Sequence, residues 1–137
     1  MSALIRPLET SELALYQRHA LRHRAESGRD GDIHFMPFAP NDVDGPRGLE
    51  PDALSLGLRD LGWQRYWVVD DGGEFVGDVN LKGDKLKTGL HRCELGIGLE
   101  RSHRRMGLGR RLMLTAIDRI RIDGEQIDDI IMSLNVG

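Results

Sequence analysis

The chain has 137 residues, a formal net charge of −3 and a single cysteine, Cys93. The length suits one domain with a sizeable core. The acidic balance argues against a general nucleic-acid binder, and a lone cysteine excludes an intramolecular disulfide or a cysteine-based zinc cluster. No run approaches the ~20 apolar residues of a membrane span. The start, "MSALIRPLET", lacks a signal-peptide pattern, so a cytoplasmic protein with no membrane partner is expected.

In chain order, "ALIRPL" (3–8) is short and alternating, and predicts a first strand. A helix should follow, capped by Thr10 or Ser11, with Leu13, Leu15, Tyr16, Ala20 and Leu21 on one face and Gly28 as its stop. The segment 29–52 is rich in Pro, Gly and Asp and also carries Phe35, Met36 and Phe38, which favour packing. Pro51 opens a short second helix, "PDALSLGLRDLG". Two strand-like runs, 64–69 and 74–81, flank "DDGG", a hairpin turn. A further strand spans "HRCELGIGLE" (91–100), with Cys93, Leu95, Ile97 and Leu99 on one face and Glu94 on the other. A helix over about 108–122, with Leu112, Ala116, Ile117 and Ile120 inward, ends at "DGEQ", and "IDDIIMSLNVG" is the last strand. The expected fold is a single α+β or α/β domain over 1–137, a mixed and mostly antiparallel sheet flanked by helices. Its order is β-α-α-β-β-β-α-β.

The stretch "RSHRRMGLGRRLM" (101–113) lies between the strand ending near Glu100 and the helix beginning near Leu108. Amides at such a junction are unpaired, and the helix dipole adds positive charge. Gly107 and Gly109 admit an anion close to the backbone. Arg104, Arg105, Arg110 and Arg111 supply formal charge. A Walker A loop is excluded because no lysine or hydroxyl follows Gly109. A dinucleotide G-x-G-x-x-G is excluded because the position three after Gly109 is Leu112. The residues alone are equally compatible with a solvated basic helix start.

"RRMGLG" (104–109), within "ELGIGLERSHRRMGLGRRLM", resembles the R/Q-x-x-G-x-G/A signature of the GNAT superfamily of N-acetyltransferases, and the element order is similar too. The resemblance implies that acetyl-CoA binds as co-substrate. The loop Arg104, Arg105, Met106, Gly107, Leu108, Gly109 and Arg110 would hold its pyrophosphate, and the backbone of Ile97 to Leu99 its pantetheine arm. It also implies transfer to a primary amine of a small molecule or peptide, with Glu94 as base and a backbone N–H near Leu99 polarising the carbonyl. Glu94 could instead merely pair with Arg92 or a neighbouring strand. His91 is a second base candidate, with Glu100 or bulk water as further fallbacks, and His103 is a surface residue near the loop. Cys93 reads as core. His19 and His23 share a helix face but make a poor metal site without a carboxylate partner, so no metal is expected. The acidic 29–52 segment suits a cationic acceptor. The alternatives are a non-catalytic acyl-CoA-binding or regulatory module and a structural domain whose loop binds an acidic partner. The family's usual continuation after "DIIMSLNVG", which often bears a thiolate-protonating tyrosine, has no counterpart before Gly137. The resemblance thus implies a shortened version of a longer enzyme, or a homodimer that covers the last strand's edge.

Overall fold

The computed structural model describes residues 3–27, 49–85, 92–123 and 129–134. Five strands form one sheet in chain order: β1 (Leu4–Pro7), β2 (Gln64–Asp71), β3 (Glu74–Gly83), β4 (Arg92–Leu99) and β5 (Asp129–Leu134). The first four are antiparallel neighbours, and β5 runs parallel to β4. Parallel neighbours need a crossover, which here contains α2 (Leu108–Asp123). The other helix, α1 (Leu13–Ala25), follows β1. The mixed, mostly antiparallel architecture agrees with the sequence reading.

Local chemistry explains the best-anticipated parts. Gly72 (φ 63°) and Gly73 (φ 97°) join β2 to β3. Both are left-handed, as a two-residue hairpin turn matching strand twist demands. The Gly73 amide also donates to Asp70 Oδ1 at 2.8 Å. On one face of the sheet Trp67, Val69, Val79, Leu81, Cys93, Leu95, Ile97 and Leu99 are buried. Leu108, Leu112, Ala116 and Ile120 of α2, spaced by four, close that core.

The opposite face mixes polar side chains with buried Tyr66 and Val68. Asp78 stands across from Gly98, and Asn80 from Gly96. The run "ELGIGLE" therefore puts aliphatic side chains on the α2 side and two glycines on the other. The missing side chains leave room for α1. An added Cβ at Gly98 would lie 2.9 Å from both Cε1 and Nδ1 of His23.

Three local expectations are corrected. The second helix is only a 3-10 turn, Pro51–Ser55. Beyond it Leu56 is extended (ψ 146°) and Asp60 Oδ2 accepts from the Gly57 amide at 2.8 Å, a side-chain turn competing with helix. At the start of the first helix neither Thr10 nor Ser11 is the cap. A 3-10 turn, Thr10–Glu12, begins after Glu9, whose amide donates to Glu12 Oε1 at 3.1 Å. The inward face of α1 is carried by His19 and His23, while Leu21 is 51% exposed. The carboxylates beneath select imidazoles over leucines, because buried carboxylates require partners. Gly28, the segment 29–48 with Phe35, Met36 and Phe38, His91 and most of "DGEQ" lie outside the described residues.

Gly98→Ala is expected to cost about 1–3 kcal/mol, since His23 is buried and Asp78 Oδ1 would also lie 3.1 Å from the new methyl. Urea unfolding tests this: the midpoint should fall with the slope preserved.

Candidate active site

At the end of β4 the chain turns at Glu100 into a 3-10 turn, Arg101–His103. Arg104 is extended, Arg105 is left-handed (φ 66°), Gly107 is left-handed (φ 76°), and α2 starts at Leu108. A left-handed arginine is unusual and persists only where its surroundings hold it. Leu108 is buried in the α2 core and anchors the loop's far end. Arg105, Met106, Gly107, Arg110 and Arg111 are exposed. By helix geometry the first-turn amides of α2 have no partner within the helix.

Gly109 differs from Gly107. Its φ is not left-handed, and an added Cβ would meet nothing within 4 Å. Neither backbone conformation nor internal crowding calls for glycine there. Helix propensity disfavours it by up to about 1 kcal/mol relative to alanine.

Arg104 does not point outward with the others. Its Nε donates to the Leu99 carbonyl at 3.2 Å and its Nη2 lies 3.4 Å from Glu26 Oε1. The charge expected there for phosphate is thus already matched by a carboxylate, leaving Arg105, Arg110 and Arg111 as the exposed cations. His103 is held between Asp71 Oδ2 (2.6 Å) and Ser102 Oγ (2.7 Å), a pairing at the protein surface.

Beneath α1 lies a buried polar cluster that the sequence did not disclose. His19 Nδ1 is 2.6 Å from Glu100 Oε2, and His19 Nε2 is 2.8 Å from Asp78 Oδ1. Ionised carboxylates only accept, so both ring nitrogens donate and His19 is an imidazolium. Burial opposes that charge, but the two carboxylate bonds outweigh it and raise the pKa to about 9. Burial likewise pushes Glu100 up, yet bonds from His19 and Arg22 leave it below its usual value. Arg22 Nε reaches Glu100 Oε1 at 2.8 Å, and its Nη2 donates to the Phe75 carbonyl at 2.7 Å. His23 stacks on His19 with centroids 6.0 Å apart, and burial lowers its pKa to about 4, keeping it neutral. Carboxylate partners for His19 therefore exist, contrary to the sequence reading. They occupy both of its nitrogens, so it offers a metal no lone pair.

Glu94 is exposed on the side of the sheet away from the α2 core, opposite Lys82 of β3 and Ile131 of β5. It borders a cavity of about 400 Å³, lined also by Lys82, Asp84, Lys85 and Arg92. Arg92 Nη2 lies 3.8 Å from Asp84 Oδ2. Ile97 faces Leu134, the last described residue of β5, in the β4–β5 register. Cys93 is core, its thiol pushed by burial up to about 11.

The fold is thus a mixed sheet with a parallel β4–α2–β5 end and a glycine-arginine loop at the β4–α2 junction. Residues 34–128 match the Acetyltransferase (GNAT) family, and the chain belongs to that family. No curated protein sequence matches it. Among solved structures it is similar to a GNAT-family acetyltransferase from Streptococcus pneumoniae. That match has 20% identity and TM-score 0.71, covering 90% of this chain and 69% of the other. A putative acetyltransferase from Salmonella typhimurium, solved with its cofactor acetyl-CoA, matches at 17% identity and TM-score 0.61, covering 90% and 66%. An aminoglycoside acetyltransferase from an uncultured soil metagenomic sample matches at 19% and 0.62, covering 96% and 79%. Among the described residues, no helix is long and apolar enough to cross a membrane.

The raised His19 pKa makes stability depend on alkali. Its contribution, on the order of 3 kcal/mol, is complete below the unfolded value of 6.5 and disappears as pH rises through about 9. Between pH 7 and 9.5 the melting temperature of the parent protein should fall more steeply than that of His19→Gln. Parallel declines would contradict the imidazolium assignment.

Proposed function

We propose that the protein is an acetyl-CoA-dependent N-acetyltransferase acting on a primary amine of a small molecule or peptide. The observation that carries this reading is Gly109. It is a glycine in the first turn of α2 with open space where a side chain would stand, beside exposed Arg105 and Arg110. A bulky anion resting on the helix amides explains it. The donor set suits a pyrophosphate: amides from Arg105 to Arg110, with Arg105, Arg110 and Arg111 for charge. The likeness to a structure solved with acetyl-CoA supports the same choice.

Acetyl-CoA supplies an acyl group activated as a thioester. Arg104 contributes its backbone and its place in the loop, since its guanidinium is engaged within the protein. The backbone from Ile97 to Leu99 would guide the arm. A backbone N–H near Leu99 would polarise the thioester carbonyl. Glu94 stands five residues before Leu99, about 17 Å along the strand, and would act on the amine through intervening water rather than by direct contact. It would take the proton from the incoming ammonium, leaving the nitrogen lone pair to attack the acyl carbon. As the C–N bond forms and the C–S bond breaks, the surplus proton on the now acylated nitrogen passes through water to the leaving thiolate. The open cavity beside Glu94 carries both signs of charge and would receive the acceptor.

Two variants test the two halves. Gly109→Val should keep its fold and lose at least tenfold in CoA affinity by calorimetry. Undiminished affinity in a folded variant would sink the loop assignment. Glu94→Gln should leave CoA affinity intact, lower kcat by about 100-fold and abolish the acidic limb of the pH–rate profile. Free thiol release across an amine panel reads kcat. CoA binding with no release from any amine would identify a binding module instead.

A further inference from the structure

The C-terminal end of α1 carries a carboxylate where a helix electrostatically prefers cations. Glu26 is the helix's C-cap, preceded by Arg22, His23 and Arg24 in the last turn. What Glu26 gains lies elsewhere. Its Oε1 and Oε2 accept from the Arg101 amide at 3.0 and 3.1 Å, and Oε1 pairs with Arg104 Nη2 at 3.4 Å. The same guanidinium holds the Leu99 carbonyl through Nε. One side chain of α1 thus ties together the end of β4, the first residue of the 3-10 turn and the residue just before left-handed Arg105. Both Glu26 and Arg104 side chains are only 18% exposed, so the pair is shielded from competing water.

The spacing along α1 extends this grip. His19 and Arg22 hold Glu100, and Glu26, four residues after Arg22, holds Arg101 and Arg104. We infer that Glu26 is a positioning residue for the anion-binding loop, acting through the Arg101 amide and the Arg104 guanidinium to fix the backbone that meets the pyrophosphate. This rests on the reading that the loop takes that group. Glu26 itself touches no ligand, and its carboxylate, set close to a pyrophosphate, would repel it. Its charge is spent on Arg104, and the gain is a loop already shaped before the ligand arrives.

The test compares ligands with and without the pyrophosphate. In the full chain, with folding checked by circular dichroism, Glu26→Ala should weaken CoA about tenfold by calorimetry, the scale of a lost charge-assisted bond. Glu26→Gln, which still accepts from the Arg101 amide, should lose less. In turnover assays KM for acetyl-CoA should rise with kcat nearly constant, while KM for S-acetylpantetheine, which lacks the pyrophosphate, should stay unchanged. Adding Glu26→Ala to Arg104→Met should weaken CoA by less than the two single losses combined, the further loss being the share carried by the Arg101 amide. If Glu26→Ala fails to fold, Arg104→Lys, which keeps charge but cannot bridge both acceptors, should show the same ligand split. CoA affinity within twofold of the parent in the Glu26 variants overturns the inference. So does an equal loss for both thioesters, which marks a general structural role. A parent protein that binds no CoA overturns the underlying reading of the loop as well, and is separable because it appears before any substitution.

Discussion

Everything on the α1 side of the sheet depends on one imidazolium placed between two carboxylates. His19 is fully buried, and Asp78 and Glu100 are each only 6% exposed. Removing such charges from water costs several kcal/mol each, and only complete pairing offsets it. The cluster meets that requirement: His19 and Arg22 carry the positive charges, Asp78 and Glu100 the negative ones. Asn80 Nδ2 bonds the remaining oxygen of Asp78 at 3.2 Å. His23 stays neutral beside them because burial, and the charge of His19 next to it, disfavour a further cation. The glycines opposite, Gly96 and Gly98, follow from the same constraint, since the ring atoms and amide occupy the space their side chains would fill.

The two faces of the sheet therefore divide the labour. The α2 face is held by burial of aliphatic and aromatic groups, which is strong but indifferent to direction. The α1 face adds to the packing of Tyr16 on Tyr66 a set of charged hydrogen bonds, which are demanding of geometry. The loop between β4 and α2 is pinned by both. Leu108 anchors one end in the apolar core, and Glu100 anchors the other in the polar cluster. A segment with left-handed residues at 105 and 107 can keep one shape because its two ends are fixed by different physics.

Much of this was legible because it is local. The Gly72–Gly73 turn, the alternation of β4, the four-residue spacing of α2 and the glycine-arginine loop all declare themselves within a dozen residues. The family resemblance rested on that same short stretch. The inward face of α1 was not legible. Counting apolar positions favours Leu21, and nothing nearby in sequence announces that the partners of His19 stand 59 and 81 residues away. The side-chain use of Arg104 was hidden for the same reason, its carboxylate lying 78 residues earlier. The short second helix failed for an opposite reason: Asp60 and Gly57 satisfy one another locally before a helix can lengthen.

Those long separations bear on how the molecule breathes. Docking α1 closes chain segments of 81 and 75 residues at the His19–Glu100 and Glu26–Arg101 bonds, steps that come late when ordering entropy governs the sequence of events. The β2–β3 hairpin and its neighbours can assemble without them. A partial opening that lifts α1 from the sheet frees Glu100 and Arg101 at the same moment, so helix and loop form one cooperative unit rather than two. Amide protons in α1 and at the start of the loop would then exchange with solvent at a common free energy. A ligand seated on the loop would slow the exchange of a helix it does not touch.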